Sequence, residues 1–260
     1  MGGIKHVYKK FRIKFLKWFK PTLKQFFCPV KVGTDGSYKS VPIIINNCNR
    51  LTMMKKLIAG LETRGYRNVY IIDNASTYPP LLEWYAHECP YPVFLMHENL
   101  GHLALWKSGI YKMFKGTYYA YTDSDLELQE DCPDDFMERF IGLLRRHPSA
   151  LKAGFSLRID DLPDTFKLKK DVITHESQFW RPEKEVEPGV FDAPIDTTFA
   201  VYKPYFVGEL IEFRNKYFRT APPYSARHLP WYINSSDLSD EEKYYASHIK
   251  TLTHWARQEL

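Results

Sequence analysis

Gly116-Thr117-Tyr118-Tyr119-Ala120-Tyr121-Thr122-Asp123-Ser124-Asp125-Leu126-Glu127 joins an uncharged, aromatic and β-branched run to two carboxylates set one residue apart. The first half has the composition of a buried strand. On an extended chain, side chains at i and i+2 point the same way, so Asp123 and Asp125 can converge on one hard cation. At the carboxyl end of a strand in an open α/β sheet, where ligands collect, such a pair suits a metal-bound diphosphate. A solvated acidic turn has the same short sequence, so the meaning of the pair depends on its neighbours.

Upstream, Val41-Pro-Ile-Ile-Ile-Asn46 is a short continuous apolar run of the kind found in central parallel strands. Helical spacing of Met54, Leu57, Ile58 and Leu61 follows, closed by Gly65. Residues 68–73 form a second strand with a polar exit, Pro79 and Pro80 open a helix, and residues 93–96 form a third strand. A helix from about His102 to Gly116 then leads into the acidic strand. Four strands alternating with three helices predict a doubly wound, mostly parallel sheet. Downstream come a helix carrying Phe136, Phe140, Ile141 and Leu144, a strand over 151–159, a charged helical stretch to Trp180, and a mobile Pro- and Glu-rich loop over 181–190. A strand over 193–202, an irregular polar and aromatic segment over 222–232, and a helix over 239–248 complete the chain. The expected organisation is a basic amphipathic helix (1–27), a linker (28–40), a nucleotide-binding half (41–130) and an acceptor-binding half (131–260) of one domain.

Composition bounds the function. Hydrophobic (44%) and charged (26%) fractions are those of a globular protein, and 260 residues are enough for a sizeable core. The net charge of +5 is concentrated: residues 1–27 carry eight Lys and Arg and no acid, leaving the rest slightly acidic. That distribution argues against a nucleic-acid-binding domain. Ile4, Val7, Phe11, Phe15, Trp18 and Phe19 recur at helical spacing between the lysines, as in helices that lie in an anionic membrane surface. The competing arrangement packs that apolar stripe on the folded domain. Four cysteines show no paired zinc or redox spacing, which favours a reducing compartment. No apolar run of 18 residues exists, and lysines interrupt every candidate secretory stretch.

The successive strand exits, Pro42-Ile-Ile-Ile-Asn-Asn-Cys-Asn-Arg50, Ile71-Ile-Asp-Asn-Ala-Ser76, Glu98-Asn-Leu-Gly101 and Tyr121-Thr-Asp-Ser-Asp125, resemble in order and spacing those of GT-A fold glycosyltransferases, especially the large glycosyltransferase family 2. The resemblance spans roughly residues 40–202. It implies a GT-A, Rossmann-like fold with a smaller acceptor-side C-terminal region. By the same resemblance Asn46, Asn49, Arg50 and Asn99 sit near the nucleotide, and Asp73 contacts its base or ribose. Asp123 and Asp125 form the pair around Mn2+ or Mg2+, Asp125 as the stronger candidate for direct ligation and Asp123 reaching the metal through water or holding the ribose. His228 is expected as a late metal ligand, which favours manganese, with Arg227 clamping the diphosphate. A histidine packed beside Pro230 and Trp231 is the structural alternative.

Inverting transfer also needs a base for the acceptor hydroxyl. Asp196, at the start of an apolar strand, is the first candidate, since burial raises a carboxyl pKa toward the working range. Asp161 competes with it, as do Asp160 and Asp164. The Glu-Asp pair and Gln-x-x-Arg-Trp signature of the processive members are absent, so base and stereochemistry stay open. Trp180, Trp231 and Tyr232 are candidates for stacking on acceptor sugars, with core packing the alternative. The resulting expectation is a metal-dependent glycosyltransferase moving a sugar from a nucleotide-sugar, a UDP-sugar first, to a glycan or lipid-linked acceptor. Its setting would be surface polysaccharide or lipopolysaccharide assembly, at the cytoplasmic inner face of a membrane. The alternatives are a sugar-nucleotidyltransferase, disfavoured by the lack of a Gly-rich basic loop after the first strand, and a non-catalytic glycan- or lipid-binding protein of this fold.

Overall fold

Three isoleucines followed by two asparagines make β1 (Ile43–Asn47), a strand buried along its whole length that delivers polar side chains only at its exit. A computed structural model describes residues 30–195, 198–204 and 216–248 around it. The basic segment 1–27 lies outside the described residues, as do Asp196 and Thr197. After β1, α1 (Thr52–Thr63) buries Met54, Leu57 and Leu61 and ends at Arg64, followed by Gly65 in the left-handed region (φ 78°). Then come β2 (Val69–Asp73), α2 (Pro79–His87) and β3 (Val93–Leu95). The helix expected over 102–116 is instead a single turn, α3 (Ala104–Lys107), between 3-10 segments at Gly101–Leu103 and Ile110–Phe114. Left-handed Gly109 (φ 80°) interrupts it.

β4 (Tyr119–Asp123), β5 (Leu126–Leu128), α4 (Phe136–Arg146), β6 (Ala150–Leu157) and α5 (Lys169–Ser177) follow. The loop expected over 181–190 is ordered. A 3-10 turn, Pro182–Lys184, leads into a hairpin of β7 (Glu185–Glu187) and β8 (Val190–Asp192) around Gly189. Val190 and Phe191 bury themselves, which the surrounding charges hide in the sequence. β9 is Ala200–Tyr202. The segment expected to be irregular belongs to β10 (Lys216–His228) and a 3-10 turn, Leu229–Tyr232. Pro222 and Pro223 fall in the register shift between Thr220 and Ser225, where the ladder does not need their missing N–H groups. The chain is described to the end of α6 (Asp240–His248), opened by a capping box in which Ser239 and Glu242 bond each other's backbone N–H. The segment expected to be a linker is partly sheet-bound, with Lys31 bridging to Thr117.

The sheet runs β3-β2-β1-β4-β9-β6-β10-β8-β7, with β5 on β10. β3, β2, β1 and β4 are mutually parallel, β9 is antiparallel between β4 and β6, and β10 is parallel to β6. This is the α/β, mostly parallel architecture that the strand pattern predicts. β1, β2 and β3 step outward with α1 and α2 packed on one face, and the chain then returns to the other side of β1. α3 packs on the opposite face during that return. The order therefore reverses between β1 and β4, the point at which open α/β sheets form a ligand crevice beyond the carboxyl ends of their strands. The main core joins α1, α2, α4 and α5 to the sheet, with Phe136, Phe140, Phe155 and Phe199 packed together. Gly154 is needed there, because a Cβ on β6 would sit 2.1 Å from the Phe199 carbonyl oxygen before β9.

Candidate functional site

Register fixes the floor of the crevice. Asn46 on β1 lies beside Asp123 on β4, and its Nδ2 donates to Asp123 Oδ1 at 3.2 Å. On the other side Asn47 is in register with Asp73 and donates to Tyr85 Oη at 2.9 Å. The Oδ1 atoms of Asn46 and Asn47 are buried and lack hydrogen-bond partners. Asp73 is buried and accepts from the Ser76 N–H (2.9 Å), and burial pushes its carboxyl pKa up against that bond.

Asn49 is left-handed (φ 55°) and builds the rim. Its Oδ1 accepts from the N–H groups of Thr77 (2.7 Å) and Tyr78 (3.0 Å), and its own N–H donates to Ser76 Oγ (2.8 Å). Asn99, exposed, accepts from the Gly101 N–H (2.8 Å) and reaches Cys48 Sγ at 3.7 Å. The Cys48 thiol is raised to about 11, by burial first and then by the Asp73 charge, so it stays protonated at neutral pH.

Asp125 leaves the end of β4 toward β10. The Leu229 N–H donates to its carbonyl (2.8 Å), and its Oδ2 meets His228 Nε2 at 3.4 Å. Burial opposes its charge, but the His228 imidazole and the Arg50 guanidinium outweigh burial and hold Asp125 below the usual carboxylate range. Its Oδ1 is buried with no hydrogen-bond partner. The described residues contain no group of three or more His, Cys, Asp or Glu arranged to hold a metal ion. The donor set still fits a hard cation that takes one or two protein ligands and completes its shell with phosphate oxygens and water. The unpartnered Asp125 oxygen and the adjacent imidazole are two such positions, with Asp123 at the end of the same strand.

Arg227 on β10 and Asp161 in the loop after β6 face each other. Arg227 Nε donates to Asp161 Oδ2 at 2.7 Å, Arg227 Nη2 bonds the same oxygen, and Tyr232 Oη donates to Asp161 Oδ1 at 2.5 Å. Arg227 also reaches Glu127 at 3.5 Å, and Arg158 forks onto Asp160. Although burial pulls the other way, Arg227 and Tyr232 keep Asp161 ionised and its pKa low. Asp164 is exposed and paired with Lys169. Trp231 is 3% exposed and packs edge-on to His228 (4.8 Å), so sugar stacking, the role considered for it from the sequence, gives way to core packing. Asp196 lies outside the described residues. The chain entering it is held from two sides, since Arg219 Nε bonds the Pro194 carbonyl and Lys152 Nζ the Ile195 carbonyl.

Tyr245 and Glu241, one turn apart on α6, escape the sequence reading. Glu241 accepts from the N–H (3.0 Å) and hydroxyl (2.9 Å) of Thr52 at the start of α1. The Tyr245 ring lies over Arg50, 3.5 Å from guanidinium carbon to ring centroid. Their i, i+4 spacing on a short polar helix is the one sequence signal for them.

No family model matches the chain, and no curated protein matches it. Among solved structures it is similar to the mannosyltransferase PcManGT from Pyrobaculum calidifontis in complex with GDP-Man and Mn2+. Identity is 16% over 90% of this chain and 69% of that one, with a TM-score of 0.47. It is also similar to glucosyl-3-phosphoglycerate synthase from Mycobacterium tuberculosis in complex with Mn2+, UDP-glucose and phosphoglyceric acid (16%, 62% and 56%, TM-score 0.38). A third likeness is to S. aureus TarS 1-349 (16%, 49% and 39%, TM-score 0.34). The chain thus spans about half the length of the second of these and well under half of the third.

Proposed function

We propose that this protein is a GT-A type, metal-dependent glycosyltransferase that takes a nucleotide-sugar donor, a UDP-sugar first. The observation carrying the reading is Asp125 with an unpartnered buried oxygen, facing His228 at 3.4 Å, at the exit of the strand that borders the β1/β4 reversal. Asp125 and His228 would hold the Mn2+ or Mg2+, with Asp123 beside them. When bound, the cation stabilises the negative charge that develops on the leaving diphosphate. Asn46 presents its free carbonyl oxygen to the donor and steadies Asp123. Arg50 supplies positive charge to the phosphates, and buried Asp73 and exposed Asn99 border the nucleotide. Arg227, held by Asp161 and Glu127, offers a preset cation on the acceptor side.

Asp161 has both oxygens occupied and is kept ionised, which makes it an anchor for Arg227 and a poor proton acceptor. Asp196 remains the proposed base for the acceptor hydroxyl. The cationic grip on the two carbonyls before it supports a fixed approach to the site. The proposed acceptor is a glycan or lipid-linked glycan at the cytoplasmic face of a membrane, in surface polysaccharide assembly, with the basic segment 1–27 as the membrane contact. Support for that contact comes from its charge and periodicity, and among the described residues no helix is long and apolar enough to cross a membrane.

Calorimetric titration with UDP, GDP, CMP and dTDP, with and without Mn2+, tests the reading. A nucleoside diphosphate should bind only with the metal, and the matching nucleotide-sugar should hydrolyse slowly. Metal-independent binding, or none, would refute it. Binding without hydrolysis would point to a non-catalytic glycan-binding protein.

A further inference from the structure

Arg50 is 6% exposed and forms no ion pair among the described residues, and its Nε and Nη1 atoms are buried without hydrogen-bond partners. Buried arginines normally come paired and hydrogen-bonded. The Asp125 charge is near enough to act on Arg50, but no hydrogen bond or ion pair joins them. The contact Arg50 does make is with the Tyr245 ring, 3.5 Å away. A ring face partly compensates a cation but satisfies none of its N–H groups. Tyr245 is brought there by anchors on the crevice rim. Glu241 caps Thr52, and Tyr244 Oη donates to the Thr77 carbonyl at 2.8 Å, both beside the exits of β1 and β2. Burial, with Asp125, Cys48 and Asp123 nearby, raises the Tyr245 phenol to about 12 despite Arg50, so it faces the site as a neutral group.

We propose that Tyr245 occupies the place of the donor's diphosphate on Arg50, and that donor binding displaces the ring from the guanidinium. The inference builds on the donor-site reading above. A diphosphate offers Arg50 what Asp125 at its distance does not, acceptors for the idle N–H groups, so charge-assisted hydrogen bonds replace a cation–π contact. The ring lies 3.5 Å over the guanidinium carbon, so a phosphate approaching that face of Arg50 takes the ring's place. Tyr245 therefore sets a threshold that a nucleoside monophosphate, with one phosphate to offer, meets less well than a diphosphate.

The test is calorimetry on the full chain with Mn2+, using UDP, UMP and inorganic pyrophosphate as probes. Tyr245→Ala should bind UDP and pyrophosphate roughly three- to thirty-fold tighter than wild type, the size of a desolvated cation–π contact. Tyr245→Leu, which keeps apolar bulk on α6, should also gain, and it decides the matter if the alanine variant does not fold. Arg50→Gln should weaken binding, and in that background Tyr245→Leu should give no gain. If both Tyr245 variants bind UDP no tighter than wild type, or if the gain persists without Arg50, the inference is overturned and the donor site stands. If wild type binds neither UDP nor pyrophosphate, the donor-site reading falls and takes the inference with it.

Discussion

Asp125 Oδ2 and His228 Nε2 lie 3.4 Å apart, joining the exit of β4 to the exit of β10. The antiparallel pairing of β5 with β10 sets His228 opposite Leu126, and the Leu229 N–H on the Asp125 carbonyl locks that register. Backbone geometry thus sets the pair, and removing either side chain should leave the fold intact. Asp125→Asn keeps the shape but loses the charge. We expect Mn2+-dependent UDP binding to fall by at least about 100-fold, the upper range for losing even an outer-sphere partner. Calorimetry beside an unchanged circular dichroism spectrum checks this; near-normal affinity would remove Asp125 from the metal site.

Glu176 on α5 and Arg219 on β10 form a buried pair, 2.6 Å apart and about 95% covered on both sides. Arg219 also stacks on Phe179 at 4.2 Å and bonds the Pro194 carbonyl, so one guanidinium ties α5 to the loop entering Asp196. Glu176→Ala leaves that cation buried and uncompensated, and should cost about 3–5 kcal/mol in urea unfolding. Glu176→Gln, which keeps an acceptor, should cost less. Equal stability of the alanine variant and wild type would show that the pair has no net effect.

The parts of this architecture that declare themselves locally were legible in the sequence. β1 to β4 are short apolar runs ending on polar residues, so their number, order and exits follow from hydrophobic pattern alone. β10 was hidden by Pro222 and Pro223, whose effect on a strand depends on whether a neighbour needs their N–H groups. The hairpin around Gly189 was hidden because Val190 and Phe191 are outnumbered by charges. The same division runs through the site. Asp123 and Asp125 stand out by their spacing, whereas the nearness of His228 to Asp125 is set by strand pairing distant in sequence. Whether Asp161 is free or bound depends on Arg227 and Tyr232 opposite it. Tyr245 reaches Arg50 through the packing of α6 beside α1, which its i, i+4 spacing from Glu241 does not by itself reveal.

Lys203 is buried after β9, and its ammonium donates to the carbonyls of His147 (3.1 Å) and Pro148 (2.8 Å). Burial lowers its pKa from 10.5 to about 8. Below about pH 8 the lysine is protonated in both folded and unfolded chains, and the desolvation cost is felt in full. Between about pH 8 and 10.5 the unfolded chain binds more protons than the folded one, so stability rises with pH by up to roughly 3 kcal/mol. Lys203→Met loses two hydrogen bonds at every pH but has no such slope. Urea unfolding of both proteins at about pH 7 and pH 10 should show the difference shifting toward wild type at high pH; a constant difference would contradict the assignment.

The described chain begins beside a second basic surface. The Lys31 N–H donates to the Gly116 carbonyl at 3.1 Å, so the described chain begins next to a stretch, 99–122, that carries no acid, as residues 1–27 carry none. Lys107, Lys112 and Lys115 are exposed in that stretch, and Met113 is 61% exposed between two of them. A surface lysine near an anionic leaflet contributes about 1 kcal/mol, so the amphipathic segment, with its eight basic residues, should dominate and the Lys112–Lys115 surface should add to it. In co-sedimentation with vesicles of phosphatidylglycerol and phosphatidylcholine, deleting residues 1–27 should abolish most binding. Lys112→Glu with Lys115→Glu should weaken the full chain by at least about tenfold, and neither change should alter UDP affinity. Lys115 directly precedes the Gly116–Tyr118 entry to β4 and so lies at the strand end opposite Asp123, and a membrane contact there would turn the carboxyl ends of the strands away from the bilayer. An acceptor glycan extending from its lipid should therefore be used better than one whose first sugar sits at the headgroup. Equal binding to purely neutral vesicles, or full binding after the deletion, would exclude an electrostatic membrane contact through this end of the molecule.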